Sequence, residues 1–238
     1  MSDTFTVTRI TALTARRVPY DWAWARDNAG FVSENWARRI AERPALFDGR
    51  VLLACACRIA DDAGTVDLFE VAFSQFLAFR DAGSPDPDVA NVFAAIVPRA
   101  RDGAALLGVM GGHTANAGQI YFPCGTPDLA DLREGDRVDL VGSAERELLE
   151  ETGIALPPDA PDEWLLLSGD GQRAFLRPVH FPEDGDALLA RMERHRRAEA
   201  DAELDGFVIV RGAADIDSAR MPGWVRTYLA NAFAPIYG

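Results

Sequence analysis

Three acids, Glu147, Glu150 and Glu151, stand at i, i+3 and i+4 in the run Arg146-Glu147-Leu148-Leu149-Glu150-Glu151-Thr152-Gly153-Ile154. On a helix that spacing brings their carboxylates to one face within a turn. Gly153 takes the place of a left-handed C-terminal cap, and Ile154 closes the end with an apolar side chain. The acids therefore occupy the last turns, where the helix dipole disfavours negative charge, and their mutual repulsion raises their pKa values. A cation relieves both problems, and Arg146 brings only one charge. The cluster reads as a divalent-metal site. A solvated acidic helix face is the other meaning such a short charge run can have.

The order Arg-Glu-aliphatic-x-Glu-Glu-x-Gly-aliphatic over 146–154 resembles the second half of the Nudix box. The first half departs from it: where the box carries its early Glu and its opening Gly, this chain has Val138 and Leu132. Phe122-Pro123-Cys124-Gly125 resembles the Pro-Gly-Gly turn that starts the box, with Cys124 in place of the first Gly. That alignment puts about seven extra residues into the loop within 126–137, as loops tolerate. It leaves Leu132 and Val138 without a ligand role, and Asp139 as the N-cap of the box helix.

The resemblance implies an α/β fold, a Nudix-type α/β/α sandwich with a mixed β-sheet, extended at the N-terminus. It implies a single Nudix-like domain over 1–238, with 1–90 as an N-terminal extension packed on it. The core then spans 91–211 with the box at 123–154, and 212–238 holds a C-terminal helix. It also implies Mg2+, or Mn2+ in its place, at Glu147, Glu150 and Glu151. The reaction implied is hydrolysis of an acid anhydride bond, the diphosphate that links a nucleoside to a second group. A non-catalytic Nudix-fold module that binds a nucleotide or phosphorylated ligand is the other class, since a fold does not fix a function. Val138 in place of the Glu points to the binder, and the three helix acids point to the hydrolase.

Carboxylates are hard oxygen ligands and suit magnesium shared with substrate phosphates. Arg146 is placed to orient Glu147 by a charge-assisted hydrogen bond, or else forms a surface ion pair. With the helix acids committed to metal, the general base must come from elsewhere. Ala200-Asp201-Ala202-Glu203 lies just before a predicted strand, and Glu203 is the first choice there, Asp201 the second; Glu134 in the lengthened loop is the third. The 113–118 stretch, rich in small residues, lets the backbone approach a ligand, and His113, Thr114 and Asn116 offer it polar contacts. Gly125 joins them as the substrate-side turn.

These residues need elements to hold them. The pattern predicts a strand or strand pair over 4–18, then a helix over 31–42 with Phe31, Trp36 and Ile40 inward. Strands follow over 50–59 and 65–68, a helix over 69–80, and strands over 91–97, 104–110 and 119–123. After the box come strands over 164–167 and 173–180, a helix over 184–200, a strand over 204–211 and a helix over 224–233. Length and composition (238 residues, 48% hydrophobic, 26% charged) are those of a globular chain with a proper core. The net charge of −13 argues against nucleic-acid and anionic-membrane partners. The partner expected is a small nucleotide-type substrate, with a homodimer open. Cys55, Cys57 and Cys124 read as reduced core residues, hence a cytoplasmic protein with no leader and no membrane-spanning run.

Overall fold

The computed structural model describes residues 5–234, so Thr4 of the first expected strand and residues 235–238 lie outside it. The N-terminal third runs β1 (Thr6–Ile10), β2 (Ala12–Arg17), α1 (Ala23–Asp27), α2 (Ala29–Glu42), β3 (Arg50–Ala60), β4 (Ala63–Ala72) and α3 (Phe73–Asp81). β5 (Asn91–Arg99), β6 (Ala105–Met110), β7 (Ile120–Tyr121), β8 (Arg137–Val138) and α4 (Leu140–Thr152) follow. β9 (Trp164–Gly169), β10 (Gln172–His180), α5 (Gly185–Ala198), β11 (Leu204–Val210) and α6 (Gly223–Ala232) complete the chain.

The central sheet has the order β1-β9-β10-β5-β6-β11, with β7 also on β6. It is mixed: β10 runs parallel to β5, while β1 with β9, β9 with β10 and β6 with β11 are antiparallel. Side chains alternate across it as the two-residue strand period requires. On β5, Val92, Ala94 and Ile96 face a core shared with Leu148 of α4 and Leu188 and Met192 of α5. Phe93, Ala95 and Val97 face a second core with Trp224, Val225, Tyr228 and Leu229 of α6. Helices thus cover both faces, giving an α/β/α arrangement.

A second sheet, β3-β4-β2-β8, packs Leu52, Ala54, Val66 and Leu68 into the α4 core. Its other face meets α1 and α3 through Leu53, Phe69, Val71, Phe76 and Phe79. Residues before 91 are woven into the whole: β1 extends the central sheet, and β2 pairs with β8 of the box loop.

Several expectations need correction. The 69–80 helix begins only at Phe73, because β4 continues to Ala72. β4 is buried on both faces, so its apolar run masks the strand period and merges with the aromatic residues of α3. Phe31 is 42% exposed, whereas Asn35 is buried. α2 packs mainly along α3, with Trp36 edge-on to Phe73, and so covers only a narrow seam. The 119–123 strand is cut to Ile120–Tyr121, and Pro123 has no N–H to extend it.

β5 and β6 meet only at Arg99↔Ala105, next to their connecting turn, and then splay. β7 pairs with β6 in the splay at Gly108↔Tyr121 and Val109↔Ile120. The chain then passes from the α6 face, where Phe122 packs edge-on to Tyr228, to the α4 face, where Gly125 lies against Glu147. That passage builds the site.

Candidate active site

α4 is set by its own sequence. The Asp139 side chain accepts from the Gly142 N–H at 3.0 Å, and a Cβ at 142 would stand 2.5 Å from the Asp139 carboxylate, so a glycine makes this cap fit. At the other end Gly153 adopts φ 68°, and its N–H reaches the Leu149 carbonyl at 2.8 Å. Leu148 and Ile154 are fully buried, which fixes the helix rotation. Glu147 and Glu151 are thereby turned inward, with Glu151 only 8% exposed, while the Glu150 side chain stays 62% exposed. The three acids share a helix end, but two of them share the interior.

Glu203, an exposed residue just before β11, joins them. The Gly111 N–H donates to the Glu203 carbonyl at 2.9 Å, carrying the β6–β11 ladder one step further. A Cβ at Gly111 would lie 2.6 Å from that carbonyl and 2.9 Å from the His113 ring, so only glycine allows this closure. Burial raises the Glu203 pKa, with His113 opposing and Glu150 adding to it. Burial pushes Glu147 up to about 7, against Arg146, with Glu203 and Glu150 reinforcing the rise. Burial, then Glu203, Glu147 and Glu150, holds Glu151 well above the carboxylate range. The half-buried Cys124 thiol is raised by burial and then by Glu151, Glu147 and Glu203. Four carboxylates therefore act on one small region.

The expected substrate contacts gather there. His113, Thr114, Asn116 and Gly125 line one cavity of about 830 Å³ together with Glu203, Cys124 and Tyr121. Asp201 is exposed in its turn and Glu134 is exposed in the box loop; neither lines this cavity. Arg146 does bond Glu147, at 3.3 Å, as expected, but its shorter contact is to Asp131 at 2.8 Å. Asp131 is buried, also accepts from the Asp128 N–H and the Ser143 hydroxyl, and ties the box loop to α4. Nothing in its surroundings in sequence marks it out. Leu132 and Val138 form an antiparallel bridge, with Val138 in the core.

Other lining residues come from the N-terminal third, where no motif marks them. Arg39, Arg43, Arg80 and Phe73, all on or next to α2 and α3, form one wall.

Among the described residues no group of three His, Cys, Asp or Glu side chains lies close enough to hold a metal ion as it stands. The donor set nonetheless suits a hard divalent cation. The buried Glu151 carboxylate has no hydrogen-bond or ion-pair partner among the described residues, and burial and the like charges of Glu203, Glu147 and Glu150 raise it. Such carboxylates are costly without a cation or protons.

No protein-family model and no curated protein matches the chain. Among solved structures it is similar to Nudix hydrolases. One is the MutT protein from Methanosarcina mazei Go1, with a TM-score of 0.40 and 16% identity over 60% of this chain and 92% of that one. A Nudix hydrolase from Nitrosomonas europaea gives 0.36 and 20% over 62% and 93%. The Bacillus subtilis pyrophosphohydrolase BsRppH gives 0.32 and 13% over 58% and 76%. What the site can do chemically is set by its own residues. Among those described, no helix is long and apolar enough to cross a membrane.

Proposed function

We propose that the chain is a magnesium-dependent, Nudix-type hydrolase of a diphosphate that links a nucleoside to a second group. The observation that carries this reading is the convergence of Glu203, from the residue before β11, on Glu147 and Glu151 of α4. Two segments far apart in sequence bring acids close enough to act on one another, and Glu203 among them lines a cavity large enough for a nucleotide.

Glu147 and Glu151, with Glu150 from the exposed side, are the residues that would hold magnesium, with manganese as its substitute. When bound, such a cation neutralises phosphate charge and lowers the pKa of an attacking water. Glu203, on a separate element, is the general base and takes the water's proton on a carboxylate oxygen. Arg146, clamped by Asp131, keeps the Glu147 carboxylate in place. Gly125 leaves room for it. His113, Thr114 and Asn116 position the substrate.

Val138, a core residue where the box carries a Glu, favours a second reading, a module that binds a nucleotide without turning it over. Incubation with nucleoside diphosphate derivatives and magnesium, with products resolved by chromatography, separates the two. Within that assay Glu203→Gln should lower turnover about a hundredfold or more while substrate affinity stays near normal. Wild-type turnover in Glu203→Gln would remove it from the mechanism.

A further inference from the structure

The 24 basic side chains of this chain are all arginine, and most of those near an acid are used in ion pairs. Two that line the cavity are not. Arg43 follows the C-terminal end of α2 and gives one N–H to the Ala115 carbonyl at 2.9 Å. Arg80, in the last turn of α3, gives one to Asn116 Oδ1 at 2.8 Å. Neither has a carboxylate within ion-pair distance among the described residues; the neighbouring Asp81 is taken by Arg39 at 2.5 and 2.9 Å.

Arg80 is held in a defined pose. Its guanidinium lies 5.8 Å from the centre of the Phe76 ring, and burial, opposed by the charge of Asp81 and helped by Arg39 and Arg43 as like charges, lowers its pKa. Asn116 is fixed in turn: Oδ1 accepts from Arg80, so the amide Nδ2 donates to the Tyr121 hydroxyl at 3.1 Å. This polar chain runs from the arginine wall toward the acids that act on Tyr121. A guanidinium carries five donors in a planar fork. Each of these two has spent one on the 113–117 loop, and both line the same cavity as Glu203.

We propose that Arg80 and Arg43 form an oxyanion subsite that takes a phosphate group of the substrate from the side opposite the acids. The assignment rests on reading this cavity as the substrate site. It gives the N-terminal region a role in recognition: two unpaired cations, one just after α2 and one on α3, face a ligand that carries several negative charges in a chain whose net charge is −13. The unpaired fork of Arg80 suits the two oxygens of a phosphate edge.

The test is titration calorimetry of the whole chain with inorganic pyrophosphate in EDTA. Without divalent cations the acids repel the probe, so binding reports the arginine wall alone. Wild-type protein should bind pyrophosphate, more weakly as salt rises. Arg80→Met should lose about tenfold or more and Arg43→Met about threefold or more, while Arg101→Met, on an exposed turn, binds as wild type. If Arg80→Met does not fold, Arg80→Lys serves: it keeps the charge without the fork and should bind about fivefold more weakly. Absence of wild-type binding, or wild-type affinity in both the Arg80 and the Arg43 variants, overturns the subsite and marks both arginines as clips for the loop. Failure of the hydrolase reading would appear separately, as absence of turnover with pyrophosphate binding intact.

Discussion

Replacing Gly125 by alanine should separate activity from stability. Gly125 lies outside the left-handed region, so its backbone accepts an L side chain. The added Cβ would stand 2.9 Å from Glu147 Oε1 and 3.2 Å from its Cδ. Ordinary contact begins near 3.4 Å, so the carboxylate must retreat by about 0.5 Å. Glu147 is the flexible end of a side chain, and an off-rotamer adjustment costs about 0.5–1.5 kcal/mol. In a chain of this size that lowers Tm by less than about 6 °C. A site tolerates only about 0.5 Å of misplacement, and a 1 Å error costs on the order of a hundredfold, so turnover should fall about tenfold. The assay is magnesium-supported hydrolysis at saturating substrate beside scanning calorimetry. Wild-type turnover at an unchanged Tm would refute the reasoning, because the carboxylate would then have no demanding position. A Tm loss beyond about 10 °C would also refute it, because the backbone rather than the side chain would have yielded.

Gly153→Ala should be purely structural: at φ +68°, with a Cβ 2.5 Å from His195 Cγ, it combines left-handed strain with a clash and should cost about 2–4 kcal/mol in calorimetry. Val138→Ala removes core methyl groups and should cost about 1–2 kcal/mol with normal turnover; lost turnover at a normal Tm would place a ligand role at 138. Asp81→Asn should destabilise by about 2 kcal/mol at neutral pH, in proportion to its charged hydrogen bonds with Arg39. Burial works upward on Asp81, but the Arg39 hydrogen bonds, the nearby Asn35 amide and the charges of Arg39 and Arg80 bring its pKa below the ordinary value. A depressed folded pKa stabilises above the unfolded value near 4, so the gap from wild type should close as pH falls through the folded pKa. A gap that persists at low pH would show that packing, not charge, sets it.

The box helix was legible because its signals are local: a cap, a glycine stop and a three-four spacing of acids lie within 139–154. The position of Glu203 beside the helix acids was reachable from the strand expected at 204, which puts the 200–203 loop at a strand entry. Asp131 was not legible, since its importance comes from a loop folding back on Arg146 and Ser143. Nor were Arg43 and Arg80, which read as ordinary helix-end cations until α2 and α3 are stacked beside the 113–117 loop. The strand–helix boundary at Phe73 was lost for another reason: burial on both sides of β4 erases the alternation that would have marked it.

The splay between β5 and β6 makes the cavity and also leaves the central sheet with a seam. Asn91, Phe93 and Gln172 line the cavity from the β5–β10 side, and Met110, His113 and Glu203 line it from the β6–β11 side. Only the Arg99↔Ala105 pair joins these strands directly, so much of their cohesion must come from the packing of neighbouring layers. A molecule held across the cavity then acts as a crosslink where the ladder is missing. It would add cohesion of RT ln(1 + [L]/Kd), and the amides bordering the seam should show that gain as slowed hydrogen exchange.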